Sequence, residues 1–96
     1  MSIQSKSVTQ AAVGDSEAID IHDTTEIRIS YGVTVTGTVN YTVQHSLNGT
    51  TFYDNSDNAA QTTSRDGNYI FPVRSVRVAI NSGSGSVVLD VRQLVV

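Results

Sequence analysis

Two histidines, His22 and His45, are the side chains of this 96-residue chain best suited to moving a proton near neutral pH. His22 has Asp20 and Asp23 as sequence neighbours. His45 falls in phase with Val39, Tyr41 and Val43, which makes it a partly buried histidine on a strand. Nucleophilic catalysis would also need an activated hydroxyl or thiol held in a strained turn, and no such elbow surrounds any serine. Both histidines therefore read as structural or surface residues. No catalytic residue is assigned, and the chain is not expected to be an enzyme.

Other constellations are weaker. Asp54-Asn55-Ser56-Asp57-Asn58 gathers oxygen donors, but a calcium site wants six to eight ligands, often with a bidentate acid at the far end of the loop. That acid and the central glycine are missing, so the segment reads as a solvated connection and no metal is expected. Tyr53 beside Asp54, Asp57 and Asn58 makes a candidate ligand loop, an aromatic face next to hydrogen-bonding groups. Gly83-Ser84-Gly85 precedes Val87-Val88-Leu89, a strand pattern, whereas phosphate cradles need a following helix. No cofactor is expected. Asn40-Tyr41-Thr42 and Asn48-Gly49-Thr50 match the glycosylation pattern, yet Met1–Lys6 shows no apolar stretch behind a basic one and so no secretory signal.

Composition narrows the class. The net charge is −3, and the six basic residues are spread from Lys6 to Arg92 instead of forming the stripe that nucleic acid requires. No apolar run approaches the ~20 residues that cross a bilayer. Neither nucleic acid nor membrane is an expected partner. There is no cysteine, so no disulfide or thiolate metal site staples the fold. Val, Ile and Thr supply 32 of the 96 residues, and β-branched side chains suit pleated surfaces better than helices.

The elements follow from alternation. Ile27, Ile29, Tyr31, Val33 and Val35 point one way while Arg28, Ser30, Gly32 and Thr34 point the other. Val39, Tyr41 and Val43 oppose Asn40, Thr42 and Gln44. Val76, Val78 and Ile80 oppose Arg77 and Ala79, and Val87, Leu89 and Val91 oppose Val88, Asp90 and Arg92. Such one-sided burial is the pattern of antiparallel sheets. Shorter strands are expected at 5–11, 17–22, 51–54, 61–64 and 68–71. Asn48-Gly49 is the strongest hairpin signal, with Asp66-Gly67 a second turn and 81–86 a flexible hairpin loop. Pro72 should end a strand or mark a sheet edge. About eight short strands at this spacing predict an antiparallel β-sandwich or small jelly roll with essentially no helix. The strand order is not readable. Residues 1–96 make one domain.

The two ends offer alternatives. Residues 1–12 are polar and β-prone, suited to an arm that adds to a neighbour's sheet, and 94–96 form an apolar tail. Alternatively both complete this domain's own sheets. Candidate interface residues are Ile3, Lys6 and Val8, with Leu94, Val95 and Val96.

The run Gln44-His45-Ser46-Leu47-Asn48-Gly49-Thr50-Thr51-Phe52-Tyr53, followed by Tyr69-Ile70-Phe71-Pro72-Val73-Arg74-Ser75-Val76-Arg77-Val78, resembles small β-sandwich proteins of bacteriophage virions. The likeness spans roughly residues 38–93, with Asn48 where aspartate is usual and Phe52 where tryptophan is usual. It implies a head decoration, or cement, protein that binds the outer surface of the assembled capsid. Its partner would be the major capsid protein, and it would act as a homo-oligomer, dimer or trimer. It would be made in the host cytoplasm and located on the virion. The alternative is a tail- or fibre-associated sandwich that recognises host surface glycan through the loop around Tyr53.

Overall fold

The computed structural model describes residues 2–96. In chain order the strands are β1 (Ser2–Gln10), β2 (Gly14–Asp15), β3 (Ile19–Asp20), β4 (Ile29–Thr36) and β5 (Val39–Ser46). They continue with β6 (Phe52–Asp54), β7 (Arg65–Tyr69), β8 (Ser75–Gly83) and β9 (Ser86–Val95). One turn of 3₁₀ helix, Ser56–Asn58, is the sole helical element among the described residues. Every strand pairing is antiparallel. One sheet runs β1-β9-β4-β7 and the other β2-β8-β5-β6, with β3 also on β8. The fold is thus an all-β antiparallel sandwich.

The expected inward residues build the core. Ile29, Tyr31 and Val33 of β4 pack with Val87, Leu89 and Val91 of β9 against Val39, Tyr41 and Val43 of β5 and Val76, Val78 and Ile80 of β8. Each fully buried side chain of this kind contributes about 1.5–3 kcal/mol. Ile27 departs from the pattern. It precedes β4 and lies exposed, so the strand starts at the next inward residue, Ile29.

The Asn48-Gly49 hairpin forms as expected between β5 and β6. The Ser46 hydroxyl accepts from the Gly49 N–H at 2.8 Å, and Asn48 Oδ1 accepts from the Thr50 and Thr51 N–H groups at 2.9 Å each. Asp66-Gly67 instead lies inside β7. Gly67 sits opposite Tyr31, where a Cβ would collide with the tyrosine hydroxyl, so glycine serves packing and not a turn.

The segment 81–86 is also not a hairpin loop. β8 and β9 belong to different sheets, so the chain crosses the sandwich there, as it does between β4 and β5. The two crossings stack, with Gly85 N–H donating to the Thr38 carbonyl at 3.0 Å. A Cβ on Gly83 or Gly85 would strike the carbonyls of Thr38 or Thr36.

Residues 61–64 contribute only a bridge between Gln61 and Tyr41, and 17–22 shrinks to β3. The strand expected at 68–71 ends at Tyr69, ahead of Pro72, leaving Ile70 70% and Phe71 45% exposed.

Both chain ends add to the domain's own sheet. β1 pairs with β9 from Ser2↔Val95 to Gln10↔Val87, so 2–10 is an edge strand and not a free arm. The Val96 N–H donates to Thr24 Oγ1 at 2.9 Å. The buried Gln93 amide exchanges hydrogen bonds with the backbone of His22, at 3.1 and 2.7 Å, and ties the 21–24 segment to β9.

Candidate binding face and open sheet edge

Antiparallel registers arrange the outward side chains of the four-stranded sheet in rows. Ile3 of β1 lies beside Leu94 of β9. The next row holds Ser5, Arg92, Ser30 and Asn68, and the one after it Ser7, Asp90, Gly32 and Asp66. A fourth brings Thr9, Val88 and Thr34 together. Short side chains on the central strand β4 lower the floor, while longer ones on β7 and β9 stand beside it. The result is a shallow trough along the strands. Its largest recess, about 570 Å³, lies among Ile3, Arg28, Asn68, Ile70, Arg92 and Leu94. It continues over Gly32 through two further recesses of about 390 and 330 Å³ that share Asp66 and Asp90.

At one end of the trough Arg28 is clamped by Glu26, with Nε to Oε1 and Nη2 to Oε2 both at 2.8 Å. Hydrogen bonds from Arg28 hold the Glu26 carboxyl at about 2, well below the usual carboxylate range. Deeper in, Ser5, Ser30, Asp66, Asn68, Asp90 and Arg92 make no side-chain hydrogen bond or ion pair among the described residues.

The edge of this sheet is equally open. β1 is paired along one side by β9, and its other side carries the backbone donors and acceptors of about every second one of its nine residues, without a ladder partner among the described residues. Lys6 donates to the Asp20 carbonyl at 3.0 Å and bridges the gap to β3.

The six interface candidates therefore separate. Ile3, 53% exposed, and Leu94 lie together on the outer face, at the lip of the trough. Lys6 and Val8 occupy the inward positions of β1, with Val8 packed against the core. Val95 is half-buried beside Ser2, and Val96 is exposed.

The candidate ligand loop is mostly structural. Asn58 is 1% exposed; its Nδ2 donates to the Tyr31 hydroxyl and its Oδ1 accepts from Arg65 Nε at 2.7 Å. Buried Asn55 donates to the same hydroxyl at 3.0 Å, and its Oδ1 accepts from the Asp57 N–H. Asp54 accepts from Gln44 Nε2 at 2.8 Å. These bonds seal one side of the sandwich, and Asn58 in particular is turned away from any ligand. Tyr53 is exposed, across from His45.

His45 itself lies in an aromatic cluster with Tyr53, Tyr69 and Phe71. Its Nδ1 lies 3.1 Å from the Tyr69 hydroxyl. Burial lowers the histidine pKa and pushes Tyr69 up to about 12, since it withholds from the charged form of each the water that would solvate it. His22 does not join this cluster.

Arg28, Ser30, Gly32, Thr34, Val88, Asp90 and Arg92 were visible singly as the wet positions of alternating strands, whereas Asp66 read as part of a turn. Nothing in the sequence placed Asp66 and Asp90 on either side of Gly32. The available signal was Gly32 itself, a glycine inside a well-patterned strand.

No family model and no curated protein matches this chain. Among solved structures it is similar to a chain from Bacillus endospore appendages, described as forming a novel family of disulfide-linked pili. The TM-score is 0.49 with 15% identity, over 99% of this chain and 88% of that one.

Proposed function

We propose that this protein is a phage head decoration protein, a structural module that binds the outside of the assembled capsid and stabilises it by protein–protein contacts. The supporting observation is the open edge of β1. Sheet edges of natural proteins are commonly blunted by proline, by charge or by a covering segment. β1 has no proline, and its one blunting device is Lys6, a charge at an inward position tied to the Asp20 carbonyl; the other eight residues carry no charge. Such an edge accepts a strand from a partner, the backbone supplying affinity and alternate side chains the specificity. The major capsid protein is the proposed partner, and repeated copies on a symmetric shell would add avidity. Oligomerisation as a dimer or trimer belongs to the same reading.

The test mixes the purified protein with shells lacking an outer protein and follows co-sedimentation. Binding is expected, and a monomer that ignores the shells removes the proposal. Hydrogen exchange then examines the edge directly. Amides of β1 that exchange quickly in the free protein should become protected on the shell. Protection elsewhere, with β1 still exchanging quickly, would sink the edge mechanism.

A further inference from the structure

A glycine inside a strand weakens it and usually marks a bulge, a tight approach of backbone, or a place where a ligand comes close. Gly32 is the fourth residue of β4, paired on both sides. The registers with β7 and β9 run through it without a break, so there is no bulge. Its φ is not among the positive ones. A Cβ there would meet no heavy atom within 4 Å. Neither the backbone nor the packing of this domain requires glycine at position 32. What the missing side chain provides is depth at the middle of the trough.

The groups around that depth are polar and unspent. Asp90 and Asp66 flank Gly32 from the neighbouring strands, about 10 Å apart across two strand spacings. Arg92, Ser30 and Asn68 form the adjoining row. The four rows from Leu94 to Val88 extend about 20 Å along the strands, which suits a chain better than a single ring. Carboxylates only accept hydrogen bonds, whereas guanidinium only donates; amides and hydroxyls do both. Both charge signs are present and neither dominates, so a strongly charged ligand would meet its own sign. A molecule with many hydroxyls satisfies acceptors and donors alike, and its C–H faces can rest on the apolar lip of Ile3, Ile70 and Leu94.

We propose that the outer face of the β1-β9-β4-β7 sheet binds a neutral saccharide chain, seated in the trough over Gly32. Asp66 and Asp90 accept from its hydroxyls, and Arg92 and Asn68 donate to its oxygens. This site is on the opposite side of the inner sheet face from Asn55 and Asn58, and it does not depend on a virion location.

The experiment titrates the ¹⁵N-labelled full chain with maltohexaose, cellohexaose, N-acetylchitohexaose and, as an acidic probe, hexagalacturonate. At least one neutral probe should bind with a Kd below about 1 mM, shifting the amides of Gly32, Asp66, Asn68, Asp90 and Arg92. Gly32→Gln fills the depth and should weaken that binding at least about tenfold while the melting temperature is kept. Asp90→Ala, a surface change, gives an independent loss should the first variant fold poorly. The proposal is overturned by no binding of any neutral probe, by tighter binding of hexagalacturonate, or by full affinity in both variants.

Discussion

The outward faces of the two sheets treat their polar residues differently. On the β8-β5 face, Arg77 lies 3.8 Å over the Phe52 ring, donates to Gln44 Oε1 at 2.8 Å and pairs with Asp15 at 3.3 Å. Gln44 passes the connection on to Asp54, and Asn81 donates to both Asn40 and Thr42 at 2.9 and 3.0 Å. Ser16 and Ser75 are likewise bonded, to β8 backbone and to Asp20. On the β9-β4 face, Asp66, Asn68, Asp90 and Arg92 stand without such partners among the described residues. An exposed polar group in water loses little by being unpaired, so the second face is no defect of stability. The first face uses its side chains to hold the fold together. The second keeps them available.

That contrast can be broken by substitution, and the largest change should come from the knitted side. Ser46 is fully buried there, and its Oγ accepts from Gly49 N–H at 2.8 Å. Ser46→Ala leaves turn amides without their acceptor, and thermal melting should register a loss of about 1–3 kcal/mol. Arg77→Ala removes the stacking on Phe52 together with two polar contacts, and should cost about 1–2 kcal/mol. A loss below that of an ordinary surface site would mean that the network is decorative.

Acidity examines the region between the faces. Burial depresses the His45 pKa below its ordinary 6.5, so in the intermediate pH range the unfolded chain binds the proton more readily than the folded one. The contribution to stability is therefore present above about pH 6.5 and declines as the pH falls through the lowered folded value. The melting temperature should drop more in the parent than in His45→Gln between about pH 7.5 and pH 5. Equal slopes would show that the ring is better hydrated than its aromatic surroundings imply. Smallest of all, Arg92→Ala should change stability by no more than about 0.5 kcal/mol. A larger loss would place Arg92 with Arg77 and erase the difference between the faces.

Much of the sandwich could be read from the chain, because period-two alternation reports which side of a strand meets water. Tyr31, Tyr41, Val43, Val78 and Leu89 are core residues, as the pattern requires. Asn48-Gly49 turns where its tolerance of positive φ allows, with Gly49 at +86°. The failures have a common cause. Asp66-Gly67 and the 81–86 segment carry turn chemistry, but their glycines answer to neighbours distant in sequence, Tyr31 in one case and the 36–38 crossing in the other. Asn58 reads as a loop amide and is instead recruited by Tyr31 and Arg65. A local pattern contains no information about such partners.

Gly32, Ser30, Asp90 and Arg92 were thus identifiable as wet residues from alternation alone. The sequence by itself determined the β-rich composition, the inward set and the turn at Asn48-Gly49, since these depend on side-chain type and near neighbours. Tertiary structure alone decided the order β1-β9-β4-β7, and with it the meeting of Asp66, Gly32 and Asp90 and the open edge of β1. The physical reason is that strand pairing is settled by burial on the opposite, inward face. Outward residues are carried into their rows by a choice in which they take no part.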